Sequence, residues 1–446
     1  MTEGTIWQQL LQFSVPTAIG LLFQQLYNTV DSMIVGRFVG KAALAAVGGT
    51  TPIINMLVGL CAGVATGAGV VISQSYGAKD NERLHKAVHT TILLTLIMSI
   101  VATIGGIFLV SPMLTFMKTP SDVFAEAQEY LTIYFAGIVG LLIYNMGSGI
   151  LRAVGDSKRP LYFLCFSASL NVVLDLLFVL VFKWGIAGAG YATVLAQFIS
   201  AMLILRTLTK TKEPYGIQWK DLALDRVMMR RIFAIGMPAG IQQAITSFSN
   251  VFVQSYINAF GGDCMAGFSS YNKLDGFLLV PVQAIAMAAT TFIGQNYGAG
   301  KYDRARKGVR QSLFMSLGIT GVLAVLQLTF ADTLLLLFND PSETEVLYYG
   351  KEFITWISPF YLIICFNQIY AGAMRGIGDG KTPMIIMLSC FVVFRQCYMF
   401  VADMLGANFI VIGLAYPAGW LVCSVFMSIF YRRSVLFKGL KPETFK

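Results

Sequence analysis

Runs of roughly 20 apolar residues, each long enough to cross about 30 Å of hydrocarbon as a helix, alternate with short charged connectors along the whole chain. Twelve such runs are present, with approximate cores at 11–35, 50–73, 89–111, 130–150, 161–182, 187–206, 232–257, 272–294, 311–331, 350–373, 383–403 and 408–431. The pattern predicts an all-α integral membrane protein with twelve transmembrane helices.

The first six spans and the last six are copies of one unit. Pro16 and Asn28 recur as Pro238 and Asn250, and Gln74-Ser75-Tyr76-Gly77-Ala78 returns as Gln295-Asn296-Tyr297-Gly298-Ala299. Arg152 with Gly155-Asp156-Ser157-Lys158-Arg159-Pro160 returns as Arg375 with Gly378-Asp379-Gly380-Lys381-Thr382-Pro383, and Gly188 and Tyr191 return as Gly413 and Tyr416. The expected organisation is two six-helix lobes related by internal repeat: an N-lobe at 1–206, a cytoplasmic linker at 207–231, a C-lobe at 232–431 and a cytoplasmic tail at 432–446. A duplicated apolar chain of this kind points to a transporter.

Composition agrees with the spans: 56% of residues are hydrophobic and 12% charged, against about 25% charged in soluble domains. No cleavable signal is expected, because residues 1–10 carry Glu3 and no Lys or Arg. Connectors on the side of both termini hold 25 Lys and Arg, whereas the opposite connectors hold only Arg37, Lys41, Lys118, Lys183 and Lys351. The positive-inside rule therefore predicts cytoplasmic termini, and orientation absorbs most of the net charge of +9 without a nucleic-acid partner. Seven cysteines, mostly within spans, imply no disulfide framework; Cys264 alone reads as external.

Several motifs imitate chemistry. Gly378-Asp379-Gly380-Lys381-Thr382 lacks the glycine that a P-loop needs five residues before Gly380, where Arg375 stands; a tight turn leading into a helix at Pro383 is the better reading. His85 and His89 have the spacing of a metal pair, but nothing nearby completes a shell. Gly59, Gly63 and Gly67, with Ala284 and Ala288 in the second copy, mark a close-packing face. No nucleophile-elbow, kinase or zinc-hydrolase motif occurs, so the chain does not read as an enzyme, and no cofactor is expected.

Five ionisable residues fall inside the spans: Asp31, Asp175, Lys273, Asp275 and Arg395. Each costs about 2.5–3.5 kcal/mol on insertion scales, while polar links between helices return only about 0.6 kcal/mol, so a structural role leaves Asp31 and Asp175 uncompensated. Laying one half on the other sets Asp31 against Val253, Asn171 against Phe394, Asp175 against Tyr398 and Thr193 against Ala418. The oxygen-bearing group thus exists in the first half alone. Asn171 and Asp175 share one helix face, as do Gln24, Asn28 and Asp31. Burial penalises the charged carboxylate and like charges repel, so the pair can take up a proton; deprotonated, the same oxygens with Asn171 and Thr193 would suit Na⁺. Lys273 and Asp275 are expected as an interfacial pair, or Arg395 as the partner of Asp275. Gln24, Asn28, Gln242, Asn250, Asp275 and Arg395 are candidates to line a substrate cavity.

In this order and spacing, Pro16, Asp31 with Val35-Gly36-Arg37, the Gln-x-Tyr-Gly-Ala turn and its copy, the two Arg-x-x-Gly-Asp turns, and Asn171-x-x-x-Asp175 with Thr193 resemble the bacterial branch of the multidrug and toxic compound extrusion (MATE) family. The resemblance covers nearly the whole chain. It implies two lobes facing a central cavity in the bacterial inner membrane, exporting bulky, often cationic amphiphiles in exchange for H⁺ or Na⁺ by alternating access, with no obligate protein partner. It also implies a cation-coupling site at Asp31, Asn171, Asp175 and Thr193, and a first helix that bends at Pro16. One departure stands out. The seventh helix carries Gln242, Gln243, Thr246, Asn250 and Gln254, where some members have a glutamate. Export of a lipid-linked or anionic solute is the alternative that Lys273 and Arg395 favour.

Overall fold

The structure, a computed structural model, describes residues 1–117 and 119–438, with the side chains of 32, 41, 42, 44, 52 and 122 excepted. Lys118 and the part of the expected tail from 439 onward lie outside the described residues. The first half comprises α1 (Ile6–Ile34), α2 (Lys41–Gly77), α3 (Asn81–Phe116), α4 (Ser121–Ala136), α5 (Ile138–Ala153), α6 (Lys158–Asp175) and α7 (Gly185–Lys210). The second comprises α8 (Arg226–Asn258), α9 (Gly262–Gly298), α10 (Tyr302–Thr329), α11 (Ala331–Leu335), α12 (Thr344–Ile357), α13 (Tyr361–Gly376), α14 (Lys381–Leu388), α15 (Arg395–Met404), α16 (Phe409–Gly413), α17 (Ala415–Arg433) and α18 (Val435–Lys438). Among the described residues nine helices are long and apolar enough to span a membrane, and α4 with α5, bent by 49°, makes a tenth. The glutamine-rich α1 and α8 complete a twelve-helix membrane fold. Helices outrun the predicted cores: α2 has 37 residues, about 55 Å against about 30 Å of hydrocarbon, because hydropathy sees only the buried length.

The repeated turns are built alike. Ala78 N donates to Gln74 O and Ala299 N to Gln295 O, each at 3.0 Å. Gly155 and Gly378 adopt φ of 98° and 99°, a region open to glycine. The aspartate that follows each caps the next helix: Asp156 Oδ1 accepts from Arg159 N at 3.1 Å and Asp379 Oδ1 from Thr382 N at 3.0 Å. The Gly378–Thr382 segment is therefore a helix cap, as read.

The chain forms two compact units, Ile19–Gly240 and Met1–Ala18 with Ile241–Lys446. These bounds differ from lobes drawn at 1–206 and 232–431. Ile6, Leu10 and Phe13 are buried with Ile285, Ala288, Ala289 and Phe292 of α9. Met228, Ile232 and Ile235 of α8 are buried with Val64, Ala68 and Val71 of α2. Small residues explain the arrangement: a Cβ on Gly63 would lie 2.2 Å from the Gly240 backbone nitrogen, and one on Gly67 would lie 2.3 Å from the Ile232 carbonyl oxygen. The foreseen close-packing face is thus the seat of α8. Within the expected linker, Tyr215 and Ile217 are buried, and Gln218 N donates to His89 Nε2 at 3.0 Å while His89 Nδ1 meets His85 O at 2.8 Å. The histidine pair therefore holds the linker. Cys264 is fully buried, contrary to its external reading, because α9 begins at Gly262 and carries it at once into the core.

Candidate functional site

In the unit Ile19–Gly240, α1 brings Gln24, Asn28 and Asp31 along one stripe into a cavity of about 340 Å³. From α6 comes Asn171, and from α7 come Thr193, Gln197 and Ser200 at i, i+4 and i+7. Asp175 sits directly behind. Asp31 is 8% exposed, Asn171 1%, Asp175 0% and Thr193 4%. The carboxyl groups of Asp31 and Asp175 are hydrogen-bond neighbours. With its amide oriented to satisfy both ends, Asn171 donates to Asp175 Oδ2 at 3.2 Å and accepts from Thr193 N at 3.2 Å. The four residues paired in the sequence thus form one cluster.

Among the described residues the Oδ1 atoms of Asp31 and Asp175 have no hydrogen-bond partner, and no Lys or Arg forms an ion pair with either carboxylate. Two ionised carboxylates side by side in such surroundings repel strongly. A proton shared between them, or a small cation held by their oxygens, removes that repulsion. Backbone irregularity accompanies both acids: a π-helical turn, Val35–Val39, follows α1, and another, Leu176–Val181, begins immediately after Asp175.

The sequence reading missed an aromatic and amide wall. Tyr27, Tyr130, Tyr134, Tyr144, Asn55, Asn145 and Gln197 all line the cavity. The half-against-half comparison could have found part of it, since Tyr130 and Tyr134 stand opposite Phe353 and Ile357, at the 223-residue offset of Arg152 and Arg375.

The remaining candidates lie in the other unit. Arg395, 4% exposed, donates from Nη2 to Ser249 Oγ at 2.7 Å and Asn250 Oδ1 at 2.9 Å, and its guanidinium lies 5.0 Å from the Tyr416 ring centroid. Gln242 meets Met387 Sδ at 2.8 Å. Asp275 accepts from the Tyr361 hydroxyl, which also meets Tyr271 at 3.0 Å. The expected pairing of Asp275 with Lys273 or Arg395 does not form: among the described residues Asp275 uses tyrosine, Arg395 uses neutral oxygens, and Lys273 lies 5.1 Å from the Phe338 ring centroid. Neighbours on α9 point to different faces two residues apart, which separates Lys273 from Asp275.

Two stretches, residues 16–177 and 238–400, match the MatE family model, one in each half and each beginning at the repeated proline. The chain belongs to the MATE family. Among its MATE relatives, the "Probable multidrug resistance protein YpnP" of Bacillus subtilis (strain 168) is 31% identical, the alignment covering 100% of this chain and 99% of that protein. The "FAD transporter" of Shewanella oneidensis is 24% identical over 82% of this chain and 79% of its own. A solved MATE structure described as the "Outward-facing conformation of a multidrug resistance MATE family transporter of the MOP superfamily" superposes with a TM-score of 0.91 and 25% identity, covering 98% of this chain and 97% of that one. MATE membership makes this a multi-pass membrane transporter of the multidrug efflux type, and its chemistry is that of moving small molecules.

Proposed function

We propose that this transporter is a secondary antiporter of the bacterial inner membrane, exporting organic, cationic amphiphiles in exchange for H⁺ or Na⁺ by alternating access, with both termini cytoplasmic. The reading is carried by one observation: the adjacent Asp31 and Asp175 carboxyl groups at the wall of a tyrosine- and amide-lined cavity. Asp31 and Asp175 take the coupling ion. In proton exchange one carboxyl becomes the donor to the other; in sodium exchange the carboxylates, Asn171 and Thr193 supply oxygen ligands. Loading the ion reduces the negative charge of the cluster and lowers its attraction for an organic cation, which is the differential affinity that coupling requires. Pro16 lies two residues from the point where α1 passes from one compact unit to the other, and its missing N–H makes it the pivot. Thr17 Oγ1 meanwhile holds the Phe13 carbonyl at 2.9 Å. No cofactor and no obligate protein partner enter the cycle.

The test is flux of a fluorescent organic cation in proteoliposomes under an imposed pH gradient and, separately, a Na⁺ gradient. Flux driven by one of them supports the proposal and names the ion; flux indifferent to both, with the protein shown to be folded, rejects antiport. A second reading rests on Arg395, a buried guanidinium bonded only to neutral oxygens among the described residues. It would suit an anionic or lipid-linked solute, and the Shewanella oneidensis relative is named for an anionic dinucleotide, FAD. Competition by an anionic dinucleotide, lost in Arg395→Gln while cation flux persists, would favour it.

A further inference from the structure

A second cavity, of about 550 Å³, lies in the unit formed by Met1–Ala18 and Ile241–Lys446, where the start of α10 meets the end of α17. One wall is basic. Arg306, Lys307 and Arg310 occupy neighbouring positions on α10. Arg306 is engaged by Asp303 and donates to the Phe437 carbonyl at 3.3 Å, tying α18 down. Among the described residues Lys307 and Arg310 have no carboxylate partner, and both are exposed. The other wall is aromatic: the Tyr370 and Tyr431 rings stack 4.5 Å apart at 9°, and Phe437 meets Tyr431 edge-on at 5.7 Å.

The depth of this cavity follows from helix length. α10 has 28 residues, about 42 Å at 1.5 Å per residue, of which about 30 Å matches hydrocarbon. Its first eight or so residues therefore stand at headgroup level, the layer where tyrosine rings also concentrate. The last turn of α17 adds Arg432 and Arg433. A soluble anion would use the cations and leave the stacked rings without a role. An amphiphile uses both walls.

We propose that this cavity binds an anionic phospholipid, its phosphodiester between Lys307 and Arg310 and its glycerol and first acyl carbons against Tyr370, Tyr431 and Phe437. The proposal concerns binding at a site apart from the Asp31 cavity, so it stands or falls independently of the antiport reading. The full-length protein would be titrated in detergent with phosphatidylglycerol, and separately with phosphatidylethanolamine of the same chains, reading the tightest-bound lipid by native mass spectrometry. Wild type should hold phosphatidylglycerol in preference. The exposed pair K307Q/R310Q, checked for unchanged helicity and monodispersity, should bind it roughly 10- to 30-fold more weakly. Millimolar glycerol 3-phosphate should not displace it. Equal affinity for the two lipids, unchanged affinity in the folded double variant, or displacement by glycerol 3-phosphate, which would make a soluble organic phosphate the occupant, would each overturn the proposal.

Discussion

The two halves share turns and caps, yet they treat one set of matching positions in opposite ways. In the first half Asp31, Asn171, Asp175 and Thr193 gather buried oxygens, two of them without a partner among the described residues. In the second, Val253 is fully buried in the core and the Tyr398 hydroxyl is satisfied by the Val411 carbonyl at 3.1 Å. The matching positions of the second half thus hold no carboxylate, which is why a role beyond packing is proposed for Asp31 and Asp175. Their insertion cost of about 2.5–3.5 kcal/mol each is the ground on which a coupling role is proposed for them.

The comparison can be broken where the shared frame is tightest. Gly63→Leu drives a side chain into the α8 backbone, 2.2 Å away at the first carbon, and should destabilise the protein by about 3 kcal/mol or more. Loss of the monodisperse species in detergent would register it, and normal behaviour would deny the close α2–α8 approach. Next in size, Val253→Asp places a lone carboxylate in the apolar copy and should cost about 2.5–3.5 kcal/mol, whereas Asp31→Val should leave thermal stability unchanged or raised. Equal destabilisation by both would mean that Asp31 is structural.

Smaller effects sharpen the contrast. Asn171→Ala removes a donor to a carboxylate, an interaction of about 1.5–3 kcal/mol, and should weaken the coupling ion by roughly tenfold or more in the ion dependence of flux. Its counterpart Phe394→Ala should leave that dependence alone. Asn250→Ala deletes one of two Nη2 acceptors of Arg395 and should lower stability by about 1–2 kcal/mol, measured as a fall in melting temperature without change in ion selectivity.

Much of this was legible in the chain. The spans follow from hydropathy, the repeat from Pro16/Pro238 and the two Gly-Asp turns, and the acidic cluster from the disagreement between halves at Asp31, Asn171, Asp175 and Thr193. What escaped depends on which faces meet. The apolar pattern at 11–35 suggests a span at α1 but cannot say that Ile6, Leu10 and Phe13 pack on α9, because apolar surface carries no address. Tyr130 and Tyr134 escaped notice because phenol rings suit a core and a cavity wall equally. Asp275 and Arg395 invited pairing by charge, yet tyrosine and neutral oxygens reach each first.

Coupling of ion and substrate by the first-half carboxylates is the proposal on which the antiport reading depends. It is tested most directly by gradient-driven flux of an organic cation in proteoliposomes containing wild type or Asp31→Asn, with orientation and folding matched. The variant is expected to remain folded and still bind the cation while its gradient-driven flux falls to that of protein-free vesicles. Equal driven flux in the two proteins would contradict it.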